Sequence, residues 1–72
     1  MTLKEDIEGK INIKIELLDD DQSLIQLGMD SIKLVELAGL IEEKTDLVIH
    51  EDDIYKINGK WLKDLIKKYN NN

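Results

Sequence analysis

Ser31 follows Asp30 at the mouth of an apolar periodic run, in the stretch Leu27 to Leu37 that reads LGMDSIKLVEL. A serine placed there has three uses. As a helix cap it is redundant, because Asp30 is already a strong N-cap whose carboxylate can accept the orphan amides of the first turn. As an enzymatic nucleophile it lacks company: His50 is the single histidine, it lies in a different segment, and no glycine-rich elbow surrounds the serine. A triad of Ser31, His50 and an acid is a poor prospect. As the acceptor of a phosphate ester it is well placed, since the first turn of a helix offers free backbone amides and a positive dipole end to an anion. The other candidate chemistry is cation binding by the acidic loop. Asp19, Asp21 and Ser23 have alternate-ligand spacing, but Leu24 stands where an EF-hand loop requires glycine, and Asp30 stands in for its closing glutamate.

The cap and ester readings both require a helix that begins at this point, and the residues that follow encode one. Leu34, Leu37, Ala38 and Ile41 recur at spacings of three, four and seven, which puts one face in the core of a helix from Ile32 to about Lys44, broken by Thr45 and Asp46. Upstream, Thr2 and Glu5 make a capping-box pattern ahead of Leu3, Ile7 and Ile11, predicting a first amphipathic helix that ends near Ile13. KINIKIEL, Lys10 to Leu17, alternates like a strand. No second alternating run exists to pair with it, so an extended segment is expected whose Ile15 and Leu18 plug the core.

DDDQS and SLIQLG then predict a polar connection and a short apolar turn closed by Gly28. Ile54 and Ile57 mark a short third helix behind an acidic first turn. Asn58 is expected to cap a last helix bearing Leu62, Leu65, Ile66 and Tyr69, with Ile57 and Leu62 as a hydrophobic staple. Residues 70–72, three asparagines, are expected to fray. The fold class is all-α: a single domain over residues 1–72, built as a small four-helix bundle of three main helices and a short third.

At 72 residues the chain is near the size at which one core barely suffices, and without cysteine neither a disulfide nor a zinc-thiolate site can staple it. The N-terminal residues lack the apolar core of a secretory signal, and no stretch approaches a membrane span, so a cytoplasmic protein is expected. Charge is unevenly spread. Residues 16–53 carry twelve acidic side chains against Lys33 and Lys44, a local net of −10, whereas residues 54–72 carry five lysines against Asp64, a net of +4. The acidic middle repels nucleic acid and anionic membranes and steers toward basic protein partners; taken alone, acidity is better explained by solubility.

The outer face of the second helix is less polar than solvent exposure demands. At about 100° per residue, Ile32, Gly39 and Glu43 point away from the core face and Val35 lies on its flank. Ile32 and Val35, interleaved with Glu36, Glu42 and Glu43 beside Ser31, make an apolar contact surface with an acidic rim.

LGMDSIKLVEL closely resembles the attachment motif of acyl and peptidyl carrier proteins, in which a serine behind aspartate receives 4′-phosphopantetheine from coenzyme A. The likeness extends over nearly the whole chain. DDDQSLIQLG resembles the acidic loop and turn before that motif, IEEKTDLVIHEDDIYKI the end of the second helix and the short third, and WLKDLI the start of the fourth. Departures touch packing: Leu24 and Thr45 stand where carriers often have phenylalanine, His50 where proline is common, and Trp61 where a capping threonine is common.

The resemblance implies a tether and not an enzyme. Ser31 would carry the arm, and acyl or aminoacyl groups would ride on its thiol as thioesters for fatty-acid, polyketide or nonribosomal-peptide biosynthesis. The partners implied are a phosphopantetheinyl transferase, an acyl- or aminoacyl-loading enzyme, and synthases or transferases with basic docking patches. They would read Met29, Asp30, Ile32, Val35, Glu36, Glu42 and Glu43 on a monomeric carrier. Cargo hints conflict: Asp30-Ser31-Ile32-Lys33 resembles peptidyl carriers, while Val35-Glu36-Leu37 and the acidity resemble acyl carriers. Trp61 either borders the arm or packs across the bundle end. The rival reading is a small helical interaction module with no covalent cofactor, in which Asp30 and Ser31 only cap.

Overall fold

A computed structural model describes residues 2–69; the fraying expected of residues 70–72 lies outside them. The Thr2–Glu5 capping box closes as the sequence predicts. The Thr2 hydroxyl accepts from the Glu5 amide at 3.1 Å and the Glu5 carboxylate accepts from the Thr2 amide at 3.0 Å, opening α1, Leu3–Ile11. The Thr2 amide, with the Thr2 hydroxyl also donating to the carboxylate at 3.2 Å, holds the Glu5 carboxyl below the ordinary glutamate range. The box is therefore intact at neutral pH and weakens as the pH falls through that lowered value.

α1 ends earlier than the expected Ile13, because Asn12 turns into the left-handed region at φ 62° and its amide bonds back to Glu8. The alternating stretch behind it forms no strand. Ile15–Leu17 closes a 3₁₀ turn where an extended segment was expected, and that turn points Ile15 and Leu18 inward while Leu17 stays exposed. Glu8 holds this corner by accepting the Ile15 amide at 2.8 Å.

The second helix, α2, spans Ser31–Lys44 and buries Leu34, Leu37, Ala38 and Ile41, the four residues its spacing selects. Two ion pairs tie it to α1, Lys10–Glu36 at 3.2 Å and Asp6–Lys44 at 3.8 Å. α3, Glu51–Ile54, is a single turn that seats Ile54, and α4, Gly59–Tyr69, buries Leu62 and Leu65 while Ile66 and Tyr69 pack half-buried against the core. Ile57 and Leu62 are both fully buried across the α4 cap, as the staple pattern requires. Among the described residues the core is wholly aliphatic and no polar side chain is buried.

What locks the bundle is the seating of the loop before α2 on the first turn of α4. The Gly59 amide donates to the Gln22 carbonyl at 3.0 Å and the Lys60 amide to the Asp20 carbonyl at 2.9 Å, while Asn58 Oδ1 accepts the Trp61 amide at 2.8 Å. The orphan donors of a helix start are thus satisfied by a loop some forty residues upstream. Lys63 adds to the seat, its ammonium donating to the Leu18 carbonyl at 2.6 Å and reaching Asp20 at 3.0 Å. The approach is so close that only glycine fits at 59, since a Cβ there would land on the Asp19 carbonyl oxygen.

Gly59→Ala should accordingly lower stability by about 2 kcal/mol, the scale of forced overpacking. Gly9→Ala, in the last turn of α1 with nothing within 4 Å of its added Cβ, should raise it by about 0.5 kcal/mol. Urea denaturation midpoints check both signs, and a midpoint unchanged by Gly59→Ala would contradict the seat.

Candidate functional site

The loop that clamps α4 also delivers the residues at the start of α2. Leu24, fully buried, donates its amide to the Ile57 carbonyl at 3.3 Å, and its own carbonyl accepts from Leu27 and Met29 at 3.1 and 3.2 Å. Gly28 passes through φ +90°, a conformation that favours glycine, and closes this turn. Met29 then packs half-buried on the core and Asp30 takes the N-cap, accepting the Lys33 amide at 2.8 Å.

Ser31 is the first helical residue and is exposed. The chain has four serines and threonines, and the other three are engaged. Thr2 belongs to its capping box, Ser23 Oγ accepts from the Gln26 amide at 3.3 Å, and Thr45 Oγ1 donates to Ile41 at 2.7 Å. The Ser31 hydroxyl makes no hydrogen bond among the described residues, and with Asp30 occupied by Lys33, the amides of Ser31 and Ile32 have no acceptor among them either. A hydroxyl at the surface with two unused N–H donors beside it suits a phosphodiester, which brings a negative charge and acceptor oxygens to the positive end of the helix. No carboxylate or imidazole hydrogen-bonds to the Ser31 hydroxyl among the described residues, so no base is placed there to activate it as a nucleophile.

Asp19, Asp21 and Ser23 belong to the loop seated on α4, and no cluster of three or more His, Asp or Glu among the described residues is arranged to hold a metal ion. His50 sits exposed at the N-cap of α3 and makes no side-chain cap bond.

The outer face of α2 divides into free and engaged groups. Ile32 is 72% and Val35 54% exposed, and Glu43 is exposed with them. Glu36 is exposed but paired with Lys10, and the Glu42 carboxylate accepts the Ile49 amide at 2.7 Å, bracing the link from α2 to α3. These two internal uses were invisible to residue spacing, because both partners come from other segments. Trp61, half-buried against the core, lines a hollow of about 440 Å³ with Leu47, Ile49, Leu65 and Tyr69, between the α2–α3 link and α4.

The family model described as "Phosphopantetheine attachment site" matches residues 2–59 of this chain. The chain is 39% identical over 57 residues to the acyl carrier protein of Buchnera aphidicola subsp. Schizaphis graminum (strain Sg), covering 78% of this chain and 72% of that protein. It is 40% identical over 57 residues to the acyl carrier protein of Buchnera aphidicola subsp. Acyrthosiphon pisum (strain Tuc7), covering 78% and 71% respectively. No solved structure matches. No helix among the described residues is long and apolar enough to cross a membrane.

The division of labour at this helix start is measurable. Asp30→Ala should cost about 1 kcal/mol in chemical denaturation and speed hydrogen exchange at the Lys33 amide, whereas Asp30→Asn should retain most of the stability. Equal stability of Asp30→Ala and the parent protein would show that Asp30 is not the working cap.

Proposed function

Because this chain belongs to the phosphopantetheine-attachment family of acyl carrier proteins, and so bears a covalent prosthetic group and is not an enzyme, we propose that Ser31 is the attachment residue. Within residues 1–72 it serves as one carrier domain, in the cytoplasm, that moves acyl or aminoacyl groups between enzymes of fatty-acid, polyketide or nonribosomal-peptide type biosynthesis. The observation that carries this reading is the hydroxyl of Ser31, exposed at the first position of α2 while Asp30 does the capping. When bound, the prosthetic group supplies a thiol at the end of a flexible arm, which this cysteine-free chain lacks.

Loading joins Ser31 Oγ to the phosphorus that bears the pantetheine, and the pyrophosphate bond of coenzyme A breaks with departure of the adenosine bisphosphate. The hydroxyl proton must go to a base of the transferase, since this chain places none in contact with Ser31. The amides of Ser31 and Ile32 then face the new anion.

For partner enzymes, Ile32 and Val35 offer apolar side chains for small hollows, flanked by Met29 and by Asp30 at the loop end. Glu43 is the acid on this face with no internal partner among the described residues, whereas Glu36 and Glu42 must share their charge with Lys10 and the Ile49 amide. Basic patches on partner enzymes complement such a rim and speed encounter more than they tighten binding.

Incubation with coenzyme A and a promiscuous phosphopantetheinyl transferase should add the mass of one phosphopantetheine to the parent protein and none to Ser31→Ala. No gain, or an equal gain in Ser31→Ala, would overturn the reading. Glu43→Lys should leave stability within about 0.5 kcal/mol yet slow loading or transfer several-fold at low salt, an effect that shrinks as salt rises. Glu36→Lys should slow it too but also destabilise, since it would set a lysine against Lys10 across the α1–α2 contact. Unchanged kinetics in Glu43→Lys at low salt would remove this residue from the docking face.

A further inference from the structure

Lys33 is a cation at the wrong end of a helix. It occupies the first turn of α2, where the peptide dipoles repel positive charge, and no acidic residue shares that turn. Seven other lysines each lie within 3.9 Å of a carboxylate, but the exposed Lys33 ammonium forms no ion pair among the described residues. Even Asp30, its neighbour, is held by the Lys33 backbone amide. A residue that breaks a local rule with no compensating contact is where a functional or strained position is expected.

Beside it lies a hollow of about 240 Å³ between the end of α1 and the loop entering α2. Ile11, Ile13, Leu27 and Met29 give it apolar walls, and Asp30 and Lys33 stand at its polar side. Ser31 is the next residue after Asp30. Side chains of a helix lean toward its N-terminus, so the long Lys33 chain leans back over the turn that Ser31 begins.

We propose that Lys33 is the counter-ion of the phosphodiester on Ser31, and that this hollow receives the branched, gem-dimethyl segment next to that phosphate. The proposal rests on Ser31 being the attachment residue. It makes Lys33 a positioning residue: the anion offsets the repulsion between the ammonium and the helix end, and Ile11, Ile13 and Leu27 cover the two methyl groups. The root of the arm then leaves over the α1 end, and Ile32 and Val35 on the outer face of α2 stay clear for partner enzymes.

The test compares methyl NMR spectra of the protein before and after loading, with intact mass read on the same samples. In the parent protein, loading should shift the methyl signals of Ile11, Ile13 and Leu27 and give cross-peaks from them to the geminal methyls of the arm. Lys33→Gln, whose unloaded spectrum should match the parent's elsewhere, should lose at least half of those shifts, and Lys33→Arg should keep them. Shifts confined to residues 30–35, or shifts as large in Lys33→Gln as in the parent, would overturn the proposal while the mass gain leaves the Ser31 reading standing. Absence of any mass gain would overturn both.

Discussion

The loop of residues 18–24 and the first turn of α4 satisfy one another's backbone. The amides of Gly59 and Lys60 would otherwise be orphan donors, and they find acceptors in the Gln22 and Asp20 carbonyls. The contact is possible because residue 59 has no side chain to hold the two segments apart. In a core without phenylalanine, whose buried side chains among the described residues are all Leu, Ile and Ala, this seat also fixes where the loop can go next. Leu24 is anchored by its bond to Ile57, the turn through Gly28 follows from Leu24, and α2 can begin only where that turn ends.

At that beginning two adjacent residues split two jobs that one residue often does. Asp30 satisfies the amide of the third helical residue, and Ser31, relieved of capping, keeps a hydroxyl with no internal partner among the described residues. Chemistry at an exposed serine costs the fold nothing when the serine is not part of the fold's hydrogen bonding. The same economy is missing from the acidic rim of α2. There Glu36 and Glu42 serve the bundle as well as the surface, one against α1 and the other on the link to α3, so the outer face is less uniformly available than its exposure suggests.

Much of this was legible in the residues. Periodicity selected all four buried positions of α2, the capping box and the Asn58 cap formed as written, and Asp30 caps a helix that begins at Ser31, one residue before the expected Ile32. These are local signals, in which a helix period or a cap depends on residues three or four apart. The end of α1 was missed because the left-handed turn at Asn12 competes with a continuing apolar period through Ile13. The 3₁₀ turn at Ile15–Leu17 was missed because the alternation of KINIKIEL reads as extended chain, whereas the turn buries residues three apart, Ile15 and Leu18, and leaves Leu17 exposed. Contacts between distant segments left no local trace at all: nothing in INGKW says that Gly59 meets Asp19, and nothing in VELAG says that Glu36 meets Lys10.

The central claim is that, of the four serine and threonine hydroxyls, the fold leaves only that of Ser31 without a partner among the described residues, and that it is the one modified. Tandem mass spectrometry of proteolytic peptides from the protein in its prosthetic-group-bearing form addresses that claim directly. The account predicts the phosphopantetheine mass on Ser31 alone, with Thr2, Ser23 and Thr45 unmodified. The group on any of those three, or an unmodified Ser31 in protein that carries it, would contradict the account.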